Sequence, residues 1–103
     1  MPSPVNHAGL TGSLVERGPL RYTPAGIPVL EFRIDHCSEQ VEAETIRRVE
    51  CEMACVALGT NALLLKEAMP GRSLSVEGFL AAKSVKQRAP VLHVTRIGFV
   101  EKI

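Results

Sequence analysis

The sequence predicts an all-β fold: a closed barrel of five strands, with one short helix between the third and fourth strands. Apolar and polar residues alternate with a period of two in most segments, as in strands that bury one face. Only one segment, residues 61–68, has the composition of a helix. Gly9 and Gly12 interrupt the first strand-like segment, which is typical of a bulge or tight bend at a barrel corner. These features indicate the Greek-key barrel called the OB-fold rather than the alternative, an open α+β sheet.

The first half of the chain is predicted to form three strands. Their expected limits are Val5–Arg17, Val29–His36 and Ile46–Leu58. The segment Gly18–Pro28 is rich in turn-forming residues and connects the first two strands, and the polar residues 38–45 are interpreted as a hairpin loop. On the third strand, alternation predicts one apolar face that is formed by Val49, Cys51, Met53 and Cys55.

The second half is predicted to contain the helix and two more strands. The helix spans Asn61–Ala68; Thr60 or Asn61 is expected to cap it, and Pro70-Gly71 ends it. The fourth and fifth strands are expected at Leu74–Leu80 and Val91–Val100, joined by a basic connection from Lys83 to Pro90.

Length and composition limit the class of protein. A chain of 103 residues with 46% hydrophobic residues suits a single domain, residues 1–103, with one core. No apolar run is long enough for a membrane helix, and the N-terminus does not read as a secretory signal. The three cysteines fit reduced thiols, so we expect a cytoplasmic protein without a structural metal or other cofactor.

The net charge of +1 conceals an uneven distribution of charge. An OB-fold typically binds its ligand across strands two and three, between the loop after strand one and the loop between strands four and five. Both loops are basic, whereas residues 39–52 are mainly acidic. A single strand of nucleic acid needs cations for its phosphates and flat side chains for its bases. The residues assigned to this groove are Arg17, Arg21, Tyr22, Arg33, Arg47, Arg48, Lys83, Lys86 and Arg88.

Aromatic side chains, which stack on bases, make up only 4% of the chain. Tyr22 is the sole tyrosine, and Phe32 is expected in the core. The alternation leaves open which way Phe79 and Phe99 point, and arginine planes could stack on bases instead. We therefore expect weak, electrostatic binding that tolerates different sequences.

Catalysis has little support in the sequence. His7, His36 and His93 lie on different predicted elements, and no nucleophile has a spacing that supports a triad. The chain also lacks a phosphate-binding glycine loop. We expect a binding protein rather than an enzyme.

Several segments resemble the bacterial single-stranded-DNA-binding protein family. Those shared with the wider family are Asn6–Gly12, Pro19–Pro28 and Phe32. Those that resemble its PriB branch more closely are Thr23–Pro28, Asp35-His36, Cys51–Met53, Val76–Leu80 and Val91–His93. They follow the family's order along nearly the whole chain, and its end at Ile103, without a flexible acidic tail, favours the same branch.

The resemblance implies a homodimer of OB-folds, paired through strand one, in the replication restart primosome. It implies binding to single-stranded DNA and to the PriA helicase, whose assembly with other primosome proteins it would stimulate at stalled forks. Residues that match basic positions of the family are Arg21, Arg47, Lys83 and Lys86. Glu50 stands near the position of a stacking tryptophan, and Cys37 stands where relatives are often basic. These departures favour an alternative, a protein–protein adaptor with little DNA binding. Further alternatives are a general single-stranded nucleic-acid-binding OB protein and a small RNA- or oligosaccharide-binding OB-fold.

Overall fold

The computed structural model describes residues 3–101 and contains six strands and one helix. The elements are β1 (Ala8–Arg17), β2 (Arg21–Tyr22), β3 (Pro28–Glu42), β4 (Thr45–Leu58), α1 (Thr60–Leu65), β5 (Ser73–Ala82) and β6 (Pro90–Phe99). The five long strands close into a barrel in the order β1-β3-β4-β6-β5 and back to β1. Among the strand pairs of residues 3–101, β4 and β6 alone run parallel. This closed barrel with one short helix confirms the predicted OB-fold, and the two-residue β2 is an addition within the predicted first connection.

Of the two glycines in the first strand, Gly12 marks a bend, whereas Gly9 lies in regular pairing with β5. Strand β1 pairs with β5 through Ser13 and with β3 from Ser13 onwards, so it passes from one neighbour to the other at this point. A Cβ atom on Gly12 would lie 2.4 Å from the carbonyl oxygen of Asp35. The strand crossing therefore requires glycine here, and a bulge between Leu14 and Glu16 follows directly.

The prediction of a hairpin loop over residues 38–45 is wrong. Strands β3 and β4 stay paired to Glu42 and Thr45, and the turn consists of Ala43 and Glu44 alone. Both turn residues have positive φ, 51° and 65°, as in the two-residue turn that matches strand twist. Polar residues suit this part of β3 and β4 because the hairpin extends past the barrel beyond the pairing of Asp35 with Ser13 of β1, and most of its residues are exposed. We call residues 35–52 the hairpin arm.

Two further expectations, the limits and cap of the helix and the burial of Cys51, are wrong. The helix ends at Leu65 rather than Ala68, and it begins after Gly59 without a side-chain cap, so neither Thr60 nor Asn61 plays the predicted role. Cys51 shares the predicted face of its strand but is exposed, because it lies on the arm where no second layer covers it. The same face becomes buried only at Cys55, inside the barrel.

The core fills the barrel and is sealed at one end by α1. Side chains from all five long strands line it, and Ala62 and Leu65 of the helix are fully buried against them. Other fully buried members are Leu30, Ile34, Ala57, Leu74 and Val76. Burial also raises the pKa of the Cys55 thiol to about 12, because the core disfavours a thiolate. No helix among residues 3–101 is long and apolar enough to cross a membrane.

Candidate nucleic-acid interface

The outer face of β3 and β4 is the surface on which an OB-fold typically holds its ligand. Register fixes its members, because residues directly opposite in an antiparallel pair share a face: Arg33 faces Ala54, and Asp35 faces Glu52. The carboxylates on this face are Glu31, Asp35, Glu39, Glu50 and Glu52. The guanidinium groups on it are Arg33 and Arg48. This face therefore carries more negative than positive charge, which opposes the approach of phosphates.

Arg33 is held between two of the surrounding carboxylates. Its guanidinium hydrogen-bonds Glu52 and lies 3.5 Å from an oxygen of Glu16 on β1. The hydrogen bond to Glu52, followed by the charge of the same residue, raises the pKa of Arg33. Arg21 on β2 is paired in the same way, 3.3 Å from Glu31. Arg21 and Arg33 were both predicted to contact DNA. Each must break its ion pairs with carboxylates before it can bind a phosphate.

The neighbouring arginines of the hairpin arm point to opposite faces. Arg48 lies on the outer face, 3.5 Å from Glu50. Arg47 lies on the other face, 2.7 Å from Glu42. A groove along one face can therefore use only one of the two, although sequence reasoning grouped them.

The two predicted loops meet at a cavity of about 350 Å³, which opens beside Glu31, Arg33 and Ala54 of the outer β3–β4 face. Arg17, Arg33 and Lys83 all line it, with Glu16 and Glu31 as their negative counterparts. The side chain of Arg17 is fixed there, because its Nε donates a hydrogen bond of 2.9 Å to the carbonyl oxygen of Ala68. The structure thus brings together three of the nine residues assigned to the groove.

The loop between β5 and β6, residues 83–89, is basic, and its cations are not neutralised by ion pairs within the described chain. Within residues 3–101, neither Lys83, Lys86 nor Arg88 forms an ion pair, and all three are exposed. A turn between Ser84 and Gln87 shapes the loop: the Gln87 amide donates to the Ser84 hydroxyl at 3.0 Å. We call residues 83–89 the basic loop.

The aromatic side chains occupy four different settings. Phe32 is buried in the core, as expected, and Tyr22 is 60% exposed beside the first loop. Phe79 points outwards and stacks on His93. Phe99 also points outwards, beneath the guanidinium of Arg72 at 4.9 Å from the ring centroid. The sequence left the last two orientations open, and it gave no sign of the partner of Phe79.

The histidines are dispersed, as the sequence indicated. His7 lies 3.5 Å from Glu77, whereas His36 Nδ1 donates to the carbonyl oxygen of Thr11 at 2.6 Å. Nε2 of the same ring lies within hydrogen-bond distance, 2.8 Å, of the Ser38 hydroxyl oxygen. This network ties the base of the hairpin arm to β1. The described part of the chain contains no group of three side chains that could hold a metal ion.

Known proteins share this barrel and much of its sequence. A family model described as "another single-strand binding protein family" matches residues 6–96. The replication restart protein PriB of Bordetella pertussis is 43% identical over 96 residues, which cover 90% of each chain. The chain belongs to the PriB family. The PriB of Nitrosomonas europaea is 36% identical over 94 residues, covering 89% of this chain and 87% of its own.

The solved structure of PriB from Ralstonia solanacearum has the same fold. It superposes with a TM-score of 0.85 at 34% identity and covers 95% of this chain and 100% of its own. The resemblance that was inferred from sequence segments is thereby confirmed over nearly the whole chain. The PriB relatives are replication restart proteins, and the matching family model describes single-strand binding proteins.

Proposed function

We propose that this protein binds single-stranded DNA as an accessory protein of the replication restart primosome. The observation that carries the proposal is the basic loop, whose three cations are free of carboxylates in the described chain and which adjoins the cavity between the two loops. Membership of the PriB family supports it. The remaining residues predicted to contact DNA, among them Arg47, Arg48 and Tyr22, stay predictions.

The chemistry of the loop fits a flexible polyanion. Lysine and arginine on an exposed loop bind phosphates along a strand without fixing its sequence, and each contact releases counterions. The paired arginines of the β3–β4 face contribute less, since each must first leave a carboxylate. We therefore propose binding that is weak, sensitive to salt and tolerant of sequence.

Anisotropy of a labelled oligo(dT) at several salt concentrations tests the proposal. Each phosphate neutralised on a single strand contributes about −0.7 to the slope of log affinity against log salt. For the double variant Lys83→Ala/Lys86→Ala, we expect this slope to be shallower by about 1.4, because two phosphate contacts are lost. Lys66→Ala/Arg72→Ala removes the same charge at two positions outside the predicted groove and serves as the control. The absence of binding by the wild type at low salt would refute the proposal.

We also propose that two copies pair through β1. Residues 8–12 pair with β5 on one side only, so their other edge has no strand partner within residues 3–101. An unpaired edge of this kind readily accepts another strand. Sedimentation at micromolar concentration should show a dimer, and Thr11→Lys, which places like charges across a symmetric pair, should weaken it. A wild-type monomer at these concentrations would contradict the pairing.

The acidic β3–β4 face favours a second role, an adaptor that contacts the PriA helicase and stimulates primosome assembly. Five carboxylates against two arginines suit a basic protein partner better than DNA. The adaptor hypothesis predicts helicase binding in the absence of DNA, measured by calorimetry. It also predicts that Glu39→Gln/Glu50→Gln weakens this binding while oligo(dT) binding is retained. Helicase binding that requires DNA would exclude it.

A further inference from the structure

A stacked pair of rings lies on the outside of the barrel at β5 and β6. Phe79 and His93 are directly opposite in the register of the two strands. Their ring centroids are 5.1 Å apart and their planes differ by 8°. Phe79 is 41% exposed, so part of its ring is open to solvent. We call Phe79 and His93 the aromatic platform.

The platform stands next to the basic loop. Phe79 is three residues from the end of β5 at Ala82, and the loop begins at the next residue. At about 3.4 Å per residue of strand, Lys83 at the start of the loop lies about 14 Å from Phe79. A short stretch of single-stranded DNA can therefore contact both at once.

Charges on the other side of the platform are balanced. Glu77 is the one carboxylate of β5, and Arg96 approaches it to 3.5 Å. His7 lies 3.5 Å from the other oxygen of the same carboxylate. The outer face of β5 and β6 thus has no excess of negative charge, in contrast to the outer face of β3 and β4.

We propose that single-stranded DNA follows the β5–β6 face from the basic loop, with a base stacked on the aromatic platform, instead of crossing the β3–β4 face. This inference rests on the proposed function and specifies the path of the DNA. The requirements for a single-strand site are cations for phosphates and a flat ring for a base. In the described chain, cations and a flat ring occur together at this position. The outer β3–β4 face, by contrast, offers carboxylates and carries no ring among the residues that the structure describes.

The first test is oligo(dT) binding by Phe79→Leu, with Phe99→Leu as the matched control. Phe99 lies near the other end of β6 and is 38% exposed, so its loss removes a comparable ring from the surface. Stacking on a base contributes at least about 1 kcal/mol, so Phe79→Leu should weaken binding about fivefold or more. The salt slope should not change, because no phosphate contact is lost. Circular dichroism and thermal melting verify that both variants are folded.

A second readout is the proton resonances of the His93 ring, assigned with a His93→Gln variant. A base that stacks on the platform should shift these resonances on addition of oligo(dT), while those of His36 on the hairpin arm stay in place. Equal binding by Phe79→Leu and Phe99→Leu, with unshifted His93 resonances, would overturn the path. If Lys83→Ala/Lys86→Ala nevertheless weakened oligo(dT) binding, the proposed function would stand and only the path of the DNA would be rejected.

A second copy of the chain is the competing occupant of the platform. In that case, Phe79→Leu would change the sedimentation coefficient of the free protein and leave the affinity per protomer for oligo(dT) unchanged. This outcome also overturns the proposal. Absence of oligo(dT) binding by the wild type would remove the proposed function and the path together.

Discussion

Removing the carboxylates around Arg33 should strengthen binding to single-stranded DNA. The double variant Glu16→Gln/Glu52→Gln keeps the shape of both side chains and deletes the two negative charges that hold the guanidinium. Arg33 lines the same cavity as Lys83, so a released guanidinium can reach DNA that is bound to the basic loop, although the DNA does not cross the rest of the β3–β4 face. The variant therefore gains one cation that can contact phosphate.

The size of this effect follows from the number of cations released. One extra phosphate contact makes the slope of log affinity against log salt steeper by about 0.7. Between 50 mM and 200 mM salt, that slope changes the affinity by an extra factor of about 2.6. Adding Glu31→Gln releases Arg21 as well, which should raise the gain in slope to about 1.4. The effect should grow stepwise with each released arginine.

Fluorescence anisotropy of labelled oligo(dT) at five or more salt concentrations measures both the affinity and the slope. The control is Glu67→Gln/Glu101→Gln, which raises the net charge from +1 by the same two units at positions that form no ion pair in the described chain. A slope equal to that of the control would show that the gain is a general charge effect. A slope equal to that of the wild type would show that Arg33 does not contact the DNA even when it is free.

Two further predictions concern stability. Gly78→Ala should lower the Tm by at least about 4 °C, because its Cβ would meet the carbonyl oxygen of His93 at the β5–β6 bulge, whereas Gly98→Ala has open space and should leave the Tm nearly unchanged in a thermal melt. The second concerns alkaline pH, where unfolded Cys55 loses its proton above its ordinary pKa of 9.0 but folded Cys55 keeps it up to about 12. The unfolded state then binds fewer protons, so the free energy of unfolding should fall from about pH 9 upwards. In urea titrations Cys55→Ala should show a smaller decline, and an equal decline would contradict the assignment.

The barrel could be predicted from the sequence because its strands bury one face. Alternation located β5 and β6 to within two residues at each end, and the period change located α1. Residues 37–42 of the hairpin arm could not be recognised in the same way, since this stretch has no buried face. Its polar residues 38–42 resemble a loop in composition, and only the pairing of Gln40 with Arg47 and of Val41 with Ile46 identifies them as strand.

The residue types of the candidate site could be predicted from the sequence. Which of its cations form ion pairs could not. Arg33 and the basic loop were both assigned to the groove as cations, but one is held by carboxylates from two other strands and the other is free. Partners such as Glu16 and Glu52 lie 17 and 19 residues from Arg33, and only the strand register brings them together. The same holds for Phe79, whose stacking partner His93 comes from the next strand.

The small net charge is consistent with two functional faces on one barrel. Ion pairs within the β3–β4 face leave it mildly acidic, which repels DNA and suits a basic protein surface. The basic loop keeps its positive charge because no acidic side chain reaches it from the described chain. If DNA follows the loop and the aromatic platform, the β3–β4 face stays available to a partner protein at the same time. An adaptor that must hold DNA and a helicase together needs this separation, and a uniformly basic barrel would lack it.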